Sequence, residues 1–259
     1  MVRRSGEGSP FEPAWGTKTY IMGIVNVTPD SFSGDGLVDP KEAVDHGILL
    51  AANGADILDV GGESSRPGAD PVGVEEELRR VIPVIEGLRA RVDLPISVDT
   101  RRAAVAAAAI RAGASIVNDV WGFRTDADLP QVVAESGAWA VTVHNRHAKA
   151  ATLPGLGGFF PEVDYSEVMD EVIQELRGSI AVLAEAGVPQ ERIIVDPGIG
   201  FGKTPDMSGP LLKPGAFFAL EAGGWHYAWT GDEEGIVQVT EPGGIMYANP
   251  ADDPRMKMK

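Results

Sequence analysis

The sequence predicts an α/β fold built on a parallel sheet, and three observations predict it. Between Tyr20 and Thr204, six short apolar runs alternate with helical segments. The runs are apolar throughout, as expected of strands buried on both faces. Each run also ends in a polar residue: Asn26, Asp59, Asp99, Asn118, His144 and Asp196. Alternation alone suits either an α/β barrel or a doubly wound sheet. The polar ends favour the barrel, where all strand ends converge on one face and the active site sits there. Asn and Asp also start loops and cap helices, but six in register exceed that habit.

The elements follow in order. Tyr20–Val25 is the first strand. Asp39-Pro40 opens the first helix, because Asp accepts from free amides and Pro suits the first helical position. Gly54 stands where a left-handed residue would stop that helix. Ile57–Val60 is the second strand and Val74–Arg91 the second helix. Ile96–Val98 leads into a helix over Ala103–Ala112, closed by Gly113. Ser115–Val117 precedes a helix from about Asp128 to Ser136. Ala140–Val143 precedes one from about Ser166 to Glu185. Ile193–Val195 is the sixth strand.

The rhythm stops after Thr204. Pro205 and Gly209-Pro210 replace the expected sixth helix. Short β-like runs follow at Ala216–Leu220, His226–Trp229, Ile236–Val239 and Ile245–Tyr247, between Gly, Asp and Glu turns. The expected organisation is a polar, Pro/Gly-rich N-terminal segment (1–19), a barrel-like region (20–204) and a β-rich tail (205–259). An incomplete barrel leaves the edges of strands one and six open, and two outcomes follow: the tail pairs with them, or they drive self-association.

Composition excludes several classes. The chain has 259 residues, 44% of them hydrophobic, which rules out a disordered chain. Its net charge of −16 argues against nucleic-acid partners and anionic membranes. With no cysteine there are no disulfides, thiol nucleophiles or Cys-ligated metals. No signal-like or membrane-length apolar run occurs, so a cytoplasmic protein is expected.

Four groups of residues carry chemistry. The loop Asn26–Gly36 follows the first strand and contains Phe32. At its root, Asn26 offers a neutral oxygen suited to a hard ion such as Mg²⁺. The second group is Asp59-Val60-Gly61-Gly62-Glu63-Ser64-Ser65-Arg66-Pro67-Gly68. Its glycines admit a close ligand, while Ser65 and Arg66 suit phosphate oxygens. An alternative is that Arg66 pairs only with Glu63. Third, Asp99, Asn118 and Asp196 would face one cavity and suit a flat, nitrogen-rich heterocycle. Buried carboxylates without such a partner would be costly. Fourth, Asp196–Thr204 mimics a P-loop, but Pro197 stands where the first glycine of that motif is required. Within it, Gly200 and Phe201 are candidates for an aromatic substrate, Phe201 by stacking.

On these motifs, residues 20–204 resemble dihydropteroate synthase. The resemblance implies a TIM-type (β/α)8 barrel, here incomplete at about six strands. It implies condensation of 6-hydroxymethyl-7,8-dihydropterin pyrophosphate with p-aminobenzoate, giving dihydropteroate and pyrophosphate in folate biosynthesis. The family roles then fall on Asn26 for Mg²⁺, on Ser65 and Arg66 for phosphates, and on Asp99, Asn118 and Asp196 for the pterin ring. Val143 stands in place of a pocket Met. Phe32, Pro67 and Phe201 would line the p-aminobenzoate pocket, and Asn26, Arg66 and Asp99 would carry the chemistry. The resemblance further implies a sulfonamide target and a homodimer, the family's dimers being built on late barrel helices that do not occur in this sequence.

Two family motifs, Ser-Arg-Lys after strand seven and Arg-x-His after strand eight, do not occur here. Lys203 and Lys213 are the nearest basic residues that could substitute. Their loss also supports a second reading, a non-catalytic fusion with at most weak pterin or pyrophosphate binding. The tail resembles the second half of a cupin, through Gly215, Glu221, Gly223 and His226. One His makes no metal site, and His226 is expected to be a relic or a surface residue.

Overall fold

The computed structural model describes residues 11–13, 20–28, 39–64, 71–146, 165–199, 201 and 203, and the backbone of 218–219, 226–230 and 233–239. Strands β1 (Tyr20–Asn26), β2 (Ile57–Gly61), β3 (Ile96–Asp99), β4 (Ile116–Asp119), β5 (Trp139–Val143) and β6 (Ile193–Asp196) alternate with helices. These are α1 (Pro40–Ala52), α2 (Val74–Arg89), α3 (Ala103–Ala112), α4 (Leu129–Ser136) and α5 (Val168–Glu185). All six strands pair in parallel, each with its neighbours in sequence.

The helix ends follow the signals in the sequence. The Asp39 side chain accepts from the Lys41 amide at 2.9 Å, and Pro40 begins α1. Gly113 ends α3 with φ +116°, a conformation that costs glycine little. Helix α2 stops at Arg89, two residues short of the expectation, where the Leu88 carbonyl turns to accept from Arg91 and Val92.

Two apolar clusters divide the sheet by residue parity. Val25, Leu58, Val60, Ile96, Val98, Val117 and Ala140 face the helices. Met22, Ile24, Ile57, Ile116, Val141 and Val143 face the other way. Two-residue alternation assigns the faces. The second cluster is also covered, so the sheet must curl. Phe11 makes edge contacts with Tyr20 on β1, centroids 5.9 Å apart, and with Trp139 on β5, 5.0 Å apart. In a flat sheet β1 and β5 would lie about 19 Å apart, four strand spacings, beyond the reach of one ring. The six strands therefore form a curled partial barrel with Phe11 across one end.

The tail joins this sheet. Strands β7 (Phe218–Ala219), β8 (His226–Thr230) and β9 (Glu233–Val239) form an antiparallel set. β9 runs parallel to β1, pairing Tyr20–Gly23 with Ile236–Val239. The order is β6-β5-β4-β3-β2-β1-β9-β8-β7. The tail thus covers the outer edge of β1, the first of the two outcomes, whereas among the described residues β6 ends the sheet. Ile245–Tyr247 lies outside the described residues.

Helices α1 and α2 meet through a reciprocal notch. A Cβ on Gly47 would lie 2.6 Å from a Leu88 methyl, and one on Gly87 would lie 2.6 Å from a Val44 methyl. Leu88 can turn aside, but Val44 is β-branched and stiff in a helix. Gly87→Ala is therefore expected to destabilise the fold by about 1 kcal/mol, overpacking of about 1–3 kcal/mol outweighing about 1 kcal/mol of helix propensity. Denaturant titration in a Val44→Ala background checks this, since there the same substitution should become neutral or stabilising.

Candidate functional site

The inner face becomes polar toward the C-terminal ends of the strands. Register aligns Asn26, Gly61, Asp99 and Asn118 in one row. One row deeper lie Asp59 and Ser97. Asp196 pairs with Val143 on the same face. Asn26, Asp99, Asn118 and Asp196 are thus brought together above an apolar floor that includes Ile24, Ile57 and Ile116. Val143 lines this cluster, and Phe201 packs against it. Phe32, Ser65, Arg66, Pro67 and Gly200 lie outside the described residues.

Two of the six polar strand ends depart from the expectation. β2 does not end at Asp59 but runs on to Gly61, which pairs with Asn26 and Asp99. Asp59 is therefore buried below the rim. His144 follows Val143 and has the opposite parity, so it lies on the helix side, its Nε2 3.1 Å from Glu175 of α5.

Electrostatics on this face are set by buried carboxyls. The Asn118 Nδ2 donates to Asp59 at 3.0 Å, while Asn118 Oδ1 and the second Asp59 oxygen are buried without hydrogen-bond partners. Burial raises Asp59, against the opposing effect of Ser97 and Asn118. Half-buried Asp99 is raised well above the usual carboxylate range, first by desolvation, then by the charges of Asp59, Asp119, Glu77 and Glu63. Asp119 has outward parity and accepts from the Trp121 and Phe123 amides at 2.8 and 2.7 Å. Burial nevertheless pushes it up to about 6.

An arginine pair, missed in the sequence reading, flanks this cluster. Arg101 and Arg102 follow β3 directly, in the run Asp99-Thr100-Arg101-Arg102 that could have signalled them. Arg101 meets Glu63 at 3.1 Å and stands 6.0 Å over the Trp121 ring. Arg102 meets Glu63 at 2.5 Å and also contacts Glu77, which accepts from the Thr100 hydroxyl at 2.6 Å. Burial favours protonated Glu63, but hydrogen bonds from Arg102 and Arg101 outweigh it and hold the carboxyl below its usual range. Glu63 is thus held by Arg101 and Arg102.

Lys203 does not stand in for a basic residue at the mouth. It is almost fully buried, at 2% exposure. Its Nζ donates to the Gly198 carbonyl at 2.8 Å and the Phe201 carbonyl at 3.2 Å, and lies 2.9 Å from His144 Nδ1. Lys213 lies outside the described residues. Among the described residues no group of three or more His, Asp or Glu could hold a metal ion, and no helix is long and apolar enough to cross a membrane.

Asn26 is half-buried at the end of β1, and its Oδ1 lies beside Gly61. One neutral oxygen, leaving the other positions of the ion to waters and substrate oxygens, is a donor set that fits Mg²⁺.

Comparison with known proteins agrees with this geometry. The family model described as pterin binding enzyme matches residues 22–214, ten residues past the expected boundary. The dihydropteroate synthase of Clostridium beijerinckii is 45% identical over 190 residues, covering 73% of this chain and 65% of the relative. That of Bacillus subtilis is 44% identical over 196 residues, covering 75% and 64%. The chain thus spans just under two thirds of the length of these relatives. Among solved structures, Xanthomonas albilineans dihydropteroate synthase with 4-aminobenzoic acid is similar at TM-score 0.66 and 45% identity, covering 76% of this chain and 67% of that one. The same enzyme in complex with 7,8-dihydropteroate is similar at TM-score 0.63 and 41% identity, covering 76% and 67%. By the family match across the whole polar-ended barrel region, the chain belongs to the pterin binding enzyme family, and within it is similar to dihydropteroate synthases.

Proposed function

We propose that the chain is a dihydropteroate synthase-type transferase whose partial barrel holds a pterin ring at its mouth. One observation carries the reading: Asp99, Asn118 and Asp196 share one face above an apolar floor, where Asn118 Oδ1 and one oxygen of Asp59 below it are buried without a hydrogen-bond partner. A pterin ring presents both N–H donors and ring acceptors along its edge. Asp196 and the Asn118 carbonyl would accept from the N–H and amino groups. Asp99, raised toward neutrality, can donate when protonated and accept when ionised.

The reaction follows from that placement. The methylene C–O bond breaks with its electrons going to the departing pyrophosphate, leaving a pterin cation that the p-aminobenzoate nitrogen attacks before losing one proton to solvent. No enzyme nucleophile is needed. The developing positive charge favours ionised Asp99, relieving the repulsion among its neighbouring carboxylates. Asn26 would hold Mg²⁺, and the bound ion would supply charge neutralisation to the leaving pyrophosphate. Ser65 and Arg66 are assigned to the phosphates. Phe201 and Val143, packed on the inner cluster, would border p-aminobenzoate with Phe32, Pro67 and Gly200. Homodimer formation and a cytoplasmic location rest on the family likeness and on composition. The cupin likeness of 205–259 rests on Gly215, Glu221, Gly223 and His226, and the reading draws no metal site from it.

A second reading is a binder without turnover. It is favoured by β9, since a strand of the tail occupies the outer edge of β1. A coupled synthase assay with calorimetry separates the two: dihydropteroate formation supports the transferase, and pterin binding without product supports the binder. Absence of pterin binding by folded protein would sink both.

Asp99→Asn and Asp196→Asn are each expected to weaken pterin binding by about tenfold or more, as befits lost hydrogen bonds to charged groups. Calorimetry at unchanged melting temperature checks this. Chelating the divalent cation should abolish pyrophosphate binding and leave binding of the pterin ring alone unchanged; Asn26→Ala should reproduce that split in the same titration.

A further inference from the structure

The loop after β6 folds around the amino group of its own lysine. The Asp196 Oδ1 accepts from the Gly198 amide at 2.6 Å, and the Phe201 amide donates to the Gly198 carbonyl at 3.0 Å. Gly198 has φ +63°, and a Cβ there would stand 1.9 Å from the His144 carbonyl oxygen. The loop is therefore pressed onto the end of β5 at a point only glycine permits. Lys203 closes the arrangement. Its Nζ reaches Gly198 and Phe201 within the loop, and His144 Nδ1 and, at 3.4 Å, the His144 carbonyl beyond it.

The titratable groups around Lys203 are Asp196 on β6, Arg146 after β5 and Glu175 on α5, with His144 in direct contact. Burial pushes the Lys203 amine down to about 7, with Asp196 and Glu175 working against it and Arg146 with it. Burial, with the Lys203 charge second, holds His144 near 3, so its ring is neutral and Nδ1 is free to accept. A buried amine of this kind is a poor device for stability, since an apolar side chain of similar length fills the same space without desolvating a charge.

We propose that Lys203 is a positioning residue. It ties the loop after β6, whose Gly198 amide holds the Asp196 carboxylate and which carries Phe201, to the end of β5, and so sets those two side chains relative to the wall that carries Val143. Which ligand the walls serve rests on the pterin reading above. The tie itself does not.

The test is Lys203→Met, with Lys203→Gln as the second variant should Met fail to fold. Hydrogen exchange of ligand-free protein is followed at the backbone amides of residues 196–203, together with the melting temperature and calorimetry with the pterin ring. The expected result is loop exchange faster by about tenfold or more, confined to that segment, at an unchanged or higher melting temperature. Pterin binding should weaken by about tenfold in parallel, as for misplaced hydrogen-bonding partners. Unchanged loop exchange overturns the proposal. So does a fall in melting temperature with faster exchange throughout the sheet, which marks a merely structural lysine. If the unsubstituted chain binds no pterin, the pterin reading fails, and the tie stands or falls on the exchange data alone.

Discussion

The parity of six parallel strands governs this molecule. Each strand places alternate residues on opposite faces, and register fixes which residues share a row. Asn26, Gly61, Asp99 and Asn118 share a row only because β1 to β4 pair as they do. A one-residue slip in any pair would send a carboxylate or amide into the helix-facing core and a valine into the cavity. The helix-facing cluster, including Leu58, Val60, Ile96, Val98 and Val117, opposes that slip, since burial of those side chains stabilises one register alone. The chemistry of the mouth thus depends on apolar packing on the other side of the sheet.

Charge is arranged on the same frame. A chain of net charge −16 concentrates Asp59, Asp99 and Asp196 on the inner face and restrains Glu63 and Glu77 with Arg101 and Arg102. Those arginines limit the repulsion that Asp99 feels without entering its row. The cavity remains rich in acceptors and suited to a ligand that donates N–H groups or carries positive charge.

Lys203 shows how burial redirects a residue type. In sequence, a lysine after Gly-Phe-Gly invites a phosphate-binding reading. In the fold its amine is enclosed by carbonyls and an imidazole, so it organises the loop. His144 changes role with it. As the polar end of β5 it reads as one of six, yet one step of parity turns it toward α5 and Glu175.

The sequence by itself determined the order and type of the elements of the partial barrel, because helix caps, left-handed glycines and apolar runs are local signals. Asp39-Pro40 and Gly113 needed no tertiary context. It also singled out Asp99, Asn118 and Asp196, which stand where strands end and which the register brings onto one face. The depth of Asp59 was not legible: Gly61-Gly62 reads as a strand terminator, and only hydrogen bonding to both neighbouring strands extends β2 through Gly61. The arginine pair on Glu63, the enclosure of Lys203 and the side taken by His144 were decided by tertiary structure alone. Each depends on contacts between groups distant in sequence, and no local pattern encodes which of them burial will bring together.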